Sequence, residues 1–119
     1  MKVYNTLSRK KETFSPISSK QVTFYACGLT VYDYPHIGNL RKYIFDDILK
    51  RVLLYNKYKV KHIENVTDVG HLTSDADAGE DKIVKGLKRE KLPLTEKSML
   101  TLTQKYFDSY KEDRELLNI

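Results

Sequence analysis

The segment from Cys27 to Asn39, Cys-Gly-Leu-Thr-Val-Tyr-Asp-Tyr-Pro-His-Ile-Gly-Asn, constrains this chain more than any other. An apolar and aromatic run, Gln21 to Cys27, leads into it and reads as a strand. Residues 39–57 read as a helix, and Lys59 to Val66 as a second strand. Two strands joined by a helix form a β-α-β unit and run parallel, as at the start of a doubly wound sheet. Ligands of such sheets bind beyond the carboxyl ends of the strands. Cys27 and the pair Thr67-Asp68 both fall there. The helix N-terminus adds unpaired N–H groups and a partial positive charge, which attract phosphate. A nucleotide site is the natural reading.

The helix is amphipathic. Leu40, Ile44, Ile48 and Val52 recur at i+4, flanked by Phe45, Leu49 and Leu53. Upstream, residues 2–20 predict a strand extension. It has a short strand from Val3 to Leu7, a basic turn at Arg9-Lys10-Lys11 and a second strand near Phe14, closed by Pro16, Ser18 and Ser19. Residues 21–69 are the β-α-β core. Residues 70–79 are polar and rich in Asp, Ser and Gly, which predicts a loop. Residues 80–119 predict a helical segment. Glu80 to Lys91 carries Ile83, Val84 and Leu87 on one side, and Pro93 breaks the pattern. Thr95 then caps a last helix carrying Met99, Leu102, Tyr106 and Tyr110.

Composition bounds the class. At 119 residues, with 40% hydrophobic and 31% charged residues, the chain suits one soluble globular domain or part of one. A net charge of +5 permits a polyanionic partner, although scattered lysines also make an ordinary solvated surface. The single cysteine excludes an internal disulfide. The N-terminus has no apolar signal core and no run approaches a membrane span, so a cytoplasmic protein is expected. The amphipathic pattern at Glu115 to Ile119 has no terminating signal, which suggests the N-terminal piece of something longer.

Individual residues carry two readings at this stage. His36 can donate to a phosphoryl oxygen, Gly38 lets a nucleotide approach the backbone, and Asn39 can donate through its amide. An ordinary strand–helix loop with a surface histidine and an asparagine cap would use the same residues. Cys27 stands at the edge of this loop, and a lone cysteine is usually a free, buried thiol. Thr30 and Thr67 can each bond their own backbone in a loop, and Asp68 can line a pocket or cap a helix. The acidic stretch from Asp75 to Asp81 fails the spacing of a calcium loop, because Gly79 falls at the fifth position and Gly86 at the twelfth.

The pattern Cys27-Gly28-x-Thr30-Val31-Tyr32-Asp33-x-x-His36-Ile37-Gly38-Asn39-x-Arg41, then Phe45-Asp46, then Asn65-Val66-Thr67-Asp68-Val69, resembles the cysteinyl-tRNA synthetases, a class I family. Val3 to Glu12 resembles that family's start. The resemblance runs from about residue 3 to the end. It implies a Rossmann-like nucleotide-binding fold with a parallel sheet, of which this chain is the N-terminal half. It further implies activation of L-cysteine with ATP and Mg2+ to the adenylate, transfer to tRNA(Cys), and a monomeric full-length enzyme. His36 and Asn39 occupy the first and last places of the His-Ile-Gly-His signature, with Asn in place of the last His. The resemblance makes them catalytic and makes Thr30, His36, Gly38 and Asn39 ATP-binding. It makes Cys27, Gly28, Thr30 and Thr67 cysteine-binding, and Cys27 a zinc ligand whose partners lie farther along the full protein. Thiolate ligation suits zinc, and a substrate thiol binds it far better than serine's hydroxyl. Residues 70–79 look like a surface insertion, within which His71 reads as an exposed loop histidine or one that approaches the pocket. The family's Lys-Met-Ser-Lys-Ser loop is not in these residues, so the fragment alone is expected to be inactive. Three other readings share features with this one. They are a ligase joining activated cysteine to an amino sugar in thiol biosynthesis, a small nucleotidyltransferase of the same superfamily, and a non-enzymatic tRNA-binding module.

Overall fold

The computed structural model describes residues 1–18, 20–68 and 81–119. In chain order the elements are β1 (Lys2–Asn5), β2 (Lys10–Thr13), β3 (Gln21–Ala26), α1 (Ile37–Tyr55), β4 (Lys59–Glu64), α2 (Lys82–Arg89) and α3 (Glu96–Leu116). The protein is α/β, with a small parallel sheet and three helices among the described residues. None of its described helices is long and apolar enough to cross a membrane. The expected loop over 70–79, His71 and Val69 lie outside the described residues.

β1 and β2 form an antiparallel hairpin, with Lys2 opposite Thr13 and Asn5 opposite Lys10. Lys10 and Lys11, expected in the turn, are in β2 instead. Arg9 takes the left-handed conformation at φ 56°, which completes the reversal before Lys10. All of β2 is exposed, so charged side chains lose no hydration there.

β3 and β4 pair in parallel from Gln21 opposite Lys59 to Ala26 opposite Glu64. Alternation puts Val22, Phe24 and Ala26 on one face beside Val60, His62 and Glu64. This face is buried or half-buried, whereas Thr23, Tyr25, Lys61 and Ile63 on the other face are exposed. Only one side of the sheet is covered among the described residues. α1 lies on that side, and its Leu49 and Leu53 share a cavity with Val22 and Phe24.

α1 starts two residues earlier than its sequence suggests and buries a different track. Tyr43, Asp46 and Leu53 are buried, while Ile44, Phe45, Ile48 and Val52 are exposed. The helix is apolar on two sides, and the sheet takes only one of them. The main core sits elsewhere. Leu29 and Val31 from the loop after β3 pack with Tyr43, Ile83, Leu87, Leu102, Tyr106 and Tyr110. The loop that leads to His36 is therefore floored by α2 and α3. Gly86 makes this close docking possible. A Cβ there would lie 2.9 Å from Leu102 Cδ2 and 3.0 Å from the Tyr32 carbonyl oxygen.

The caps follow local chemistry. Asp81 Oδ1 accepts from Ile83 N at 2.7 Å, and Thr95 Oγ1 accepts from Ser98 N at 3.2 Å. Each helix ends in a left-handed residue, Lys57, Lys91 or Asn118. The next amide donates back five residues, for example Tyr58 N to Leu53 O at 3.2 Å.

Candidate functional site

Two loops meet at the carboxyl ends of β3 and β4. Thr30 and Thr67 form an isolated parallel bridge that extends the sheet past its regular strands. Val31 N donates to Thr67 O at 3.0 Å, and Thr67 N to Leu29 O at 2.9 Å. Asn65 closes the junction. Its Oδ1 accepts from Gly28 N at 2.9 Å and from Tyr25 Oη at 2.6 Å, while its Nδ2 donates to Thr67 Oγ1 at 3.0 Å. The backbones approach so closely at Gly28 that a Cβ would stand 1.7 Å from the Asn65 carbonyl oxygen. Gly28, Thr30 and Thr67 are thus brought together, and Cys27 begins the same loop. Asp68 lines a neighbouring cavity of about 720 Å³ with Val31, Val66 and the outer face of α3.

Cys27 is exposed, not buried. Its thiol makes only a weak 3.9 Å contact with the Gly28 carbonyl. Its own carbonyl accepts from Lys42 Nζ. The backbone is held and the sulfur is free. That donor chemistry suits a thiolate-binding metal such as zinc, and no cluster of metal-ligating side chains among the described residues includes Cys27.

His36 and Asn39 are joined at the start of α1. His36 is the N-cap, and its Nδ1 accepts from Gly38 N at 3.1 Å. Asn39, three residues on, accepts from His36 N through Oδ1 at 3.1 Å. This reciprocal pair is a capping box in which His and Asn replace the usual Ser/Thr and Glu/Gln. The cap is therefore His36, and Asn39 supports it. The arrangement also sets which atoms can donate. With Nδ1 accepting, the neutral ring carries its proton on Nε2. With Oδ1 accepting, Asn39 presents its Nδ2 amide. Two neutral donors thus stand beside a helix N-terminus.

Sequence reasoning did not find a buried ionic group under this site. Asp46, His62 and Glu64 each present a possible ligand atom, all within 4.8 Å of one another. Lys42 Nζ stands 2.6 Å from Asp46 Oδ2, although off the hydrogen-bond direction. Arg114 Nη1 lies 3.3 Å from Glu64 Oε1, which also accepts from Tyr110 Oη. Two cations thus balance two carboxylates, and His62 stacks on Phe24 with ring centroids 4.3 Å apart. The group reads as a charge-balanced tie between α1, β4 and α3. The i,i+4 spacing of Lys42 and Asp46 was the one sign of it in the sequence.

Burial and Glu64 push the Tyr43 hydroxyl up to about 12, and burial with the Glu64 hydrogen bond raises Tyr110 further. Burial and its bond to Glu90 also raise Tyr106. Raised folded values stabilise below the unfolded tyrosine range and lose that contribution as pH climbs through it. Stability should fall above about pH 10, the ordinary tyrosine value. An ultraviolet titration should show three of the nine tyrosines resisting ionisation there. Uniform titration of all nine would contradict this.

The profile of the family described as "tRNA synthetases class I (C) catalytic domain" matches residues 13–119. The chain is 50% identical over 117 residues to cysteine–tRNA ligase 1 of Burkholderia lata, covering 98% of this chain and 24% of that protein. It is 49% identical over 119 residues to the cysteine–tRNA ligase of Treponema denticola, covering 100% and 23%. With that of Thermus thermophilus it shares 45% over 117 residues, covering 98% and 23%. The chain spans about a quarter of the length of these relatives. The matched residues take in both loops and the start of α1, and the chain belongs to the class I tRNA synthetases of the cysteine type.

Proposed function

We propose that the full protein is a cytoplasmic cysteinyl-tRNA synthetase, with a Rossmann-like catalytic domain to which this chain contributes its N-terminal part. It activates L-cysteine with MgATP and transfers the cysteinyl group to tRNA(Cys). The observation that carries the reading is the reciprocal His36–Asn39 cap, which aims two neutral donors from the start of α1. Activation is an in-line displacement at the α-phosphate. Negative charge develops on the transferring phosphoryl group as pyrophosphate leaves. His36 Nε2–H and Asn39 Nδ2–H stabilise that charge, and the N-terminus of α1 adds its dipole. Gly38 keeps the backbone open to the nucleotide. Thr30 and Thr67, fixed side by side, orient the amino acid with Gly28. Cys27 holds zinc with ligands from elsewhere in the protein, and zinc would supply the preference for a substrate thiol over a hydroxyl.

Cysteine-dependent ATP–pyrophosphate exchange by the full-length protein tests the reading, with tRNA(Cys) and an amino sugar compared as acceptors. Charging of tRNA(Cys) is expected, and loading of the amino sugar would replace it with the thiol-biosynthesis ligase. Residues 1–119 alone should show no exchange, because phosphoryl stabilisation needs donors on both sides of ATP. Robust turnover by that piece would show that the site is complete without the lysine-rich loop.

Cys27→Ser in the full-length protein should lower zinc content and weaken cysteine binding together. Metal analysis with cysteine titration is the measurement. Full zinc and normal affinity would return Cys27 to an unligated surface thiol.

A further inference from the structure

Arg89, near the end of α2, reaches back across the fold to the loop that precedes His36. Its guanidinium donates to Tyr32 O at 2.7 Å, to Tyr106 Oη at 2.8 Å and to Asp33 Oδ2. Three acceptors from two distant segments converge on one rigid fork. Asp33 is held on both sides, since its Oδ1 accepts from Tyr34 N at 2.8 Å. The Tyr34 ring stands edge-on to Tyr106 with centroids 5.0 Å apart. Tyr106 in turn donates to Glu90 Oε1 at 2.5 Å, and Glu90 Oε2 accepts from Lys105 Nζ at 2.8 Å. Every residue from Tyr32 to Tyr34 is therefore gripped by α2 or α3. Pro35 follows, with its φ fixed by the ring, and then His36. A displacement of the loop passes to the imidazole with little slack.

We propose that Arg89 is a positioning residue for the phosphate-binding donors, acting through the Tyr32–Pro35 loop. This rests on the adenylation reading above. Arg89 and Asp33 are each more than two-fifths exposed, so their ion pair adds little stability by itself. Its effect is geometric. The fork fixes where the loop sits, and Gly86 lets α2 come close enough for the fork to reach. Lysine cannot substitute, because a single ammonium cannot meet three acceptors in a plane.

The test uses the full-length protein in cysteine-dependent pyrophosphate exchange. Arg89→Ala, Arg89→Lys and Asp33→Asn should each lower kcat about tenfold or more, the scale of a small misplacement of reacting groups. KM for cysteine should stay within about twofold, because the residues proposed to bind cysteine are held elsewhere: Gly28 and Thr67 by Asn65, and Thr30 by its bridge to Thr67. The double variant Arg89→Ala/Asp33→Asn should be no slower than the worse single one, since both break one linkage. If Arg89→Ala does not fold, Asp33→Asn decides, as it preserves shape but turns one of the two accepting oxygens into a donating amide, so that Tyr34 N and the Arg89 fork can no longer both be met. Wild-type kcat in Asp33→Asn, multiplying effects in the double variant, or full activity in Arg89→Lys would each overturn the proposal while leaving the adenylation reading intact. Absence of exchange in the unaltered protein would overturn both.

Discussion

In the full-length protein, His36→Ala should slow cysteine-dependent pyrophosphate exchange about a hundredfold or more. That is the scale of losing one transition-state donor, roughly 3 kcal/mol. The alanine also removes the N-cap of α1, worth about 1 kcal/mol of stability. His36→Ser separates the two effects. Serine caps well, so stability should return, but its short hydroxyl cannot reach where Nε2 stood. Exchange should therefore stay slow in the serine variant. Cysteine affinity should change little in both, because the imidazole belongs to the helix start and not to the Thr30–Thr67 junction. Normal exchange in a stable His36→Ser protein would remove the ring from the chemistry.

Gly28→Ala should be the most damaging single-methyl change in the described chain. The added carbon would have to sit 1.7 Å from the Asn65 carbonyl oxygen, which belongs to rigid backbone. The two loops must separate, at about 1–3 kcal/mol for overpacking. Separation also breaks the Gly28–Asn65 hydrogen bond and strains the Thr30–Thr67 bridge. Cysteine binding should weaken with stability, in contrast to His36→Ser. Urea unfolding and cysteine titration on the same variant report both. Wild-type values in both would show that the loops tolerate a wider gap.

Much of the fold was legible because its signals are local. The apolar run before Cys27 and the helical period after it give β3, α1 and β4. Thr95 announces α3 by its own hydroxyl. The start of α1 was not legible, because histidine is not an ordinary cap and Asn39 looked like the better one. The buried side of α1 was misleading for a different reason. Periodicity says that Ile44, Ile48 and Val52 share a face, but not which neighbour that face meets. A second, less obvious track carrying Tyr43 and Asp46 is the one that is covered. Charged residues inside also escape pattern reading. Glu64 and His62 occupy inward positions of β4 that alternation alone assigns to apolar side chains. The partners of Glu64, Tyr110 and Arg114, lie some fifty positions away. Arg89 is the same kind of case, since a cation in a helix's last turn reads as a complement to the dipole.

Of the candidate site, the nearness of His36 and Asn39 was readable and their mutual dependence was not. The sequence places His36 and Asn39 near one another. The structure ties them into one hydrogen-bonded unit: the ring takes the Gly38 amide while the Asn39 side chain takes the His36 amide. The first turn of α1 is a clasp closed from both ends, with neither side chain free to turn while both bonds hold. A substitution at either position therefore loosens the remaining partner as well, and the two side chains behave as one part.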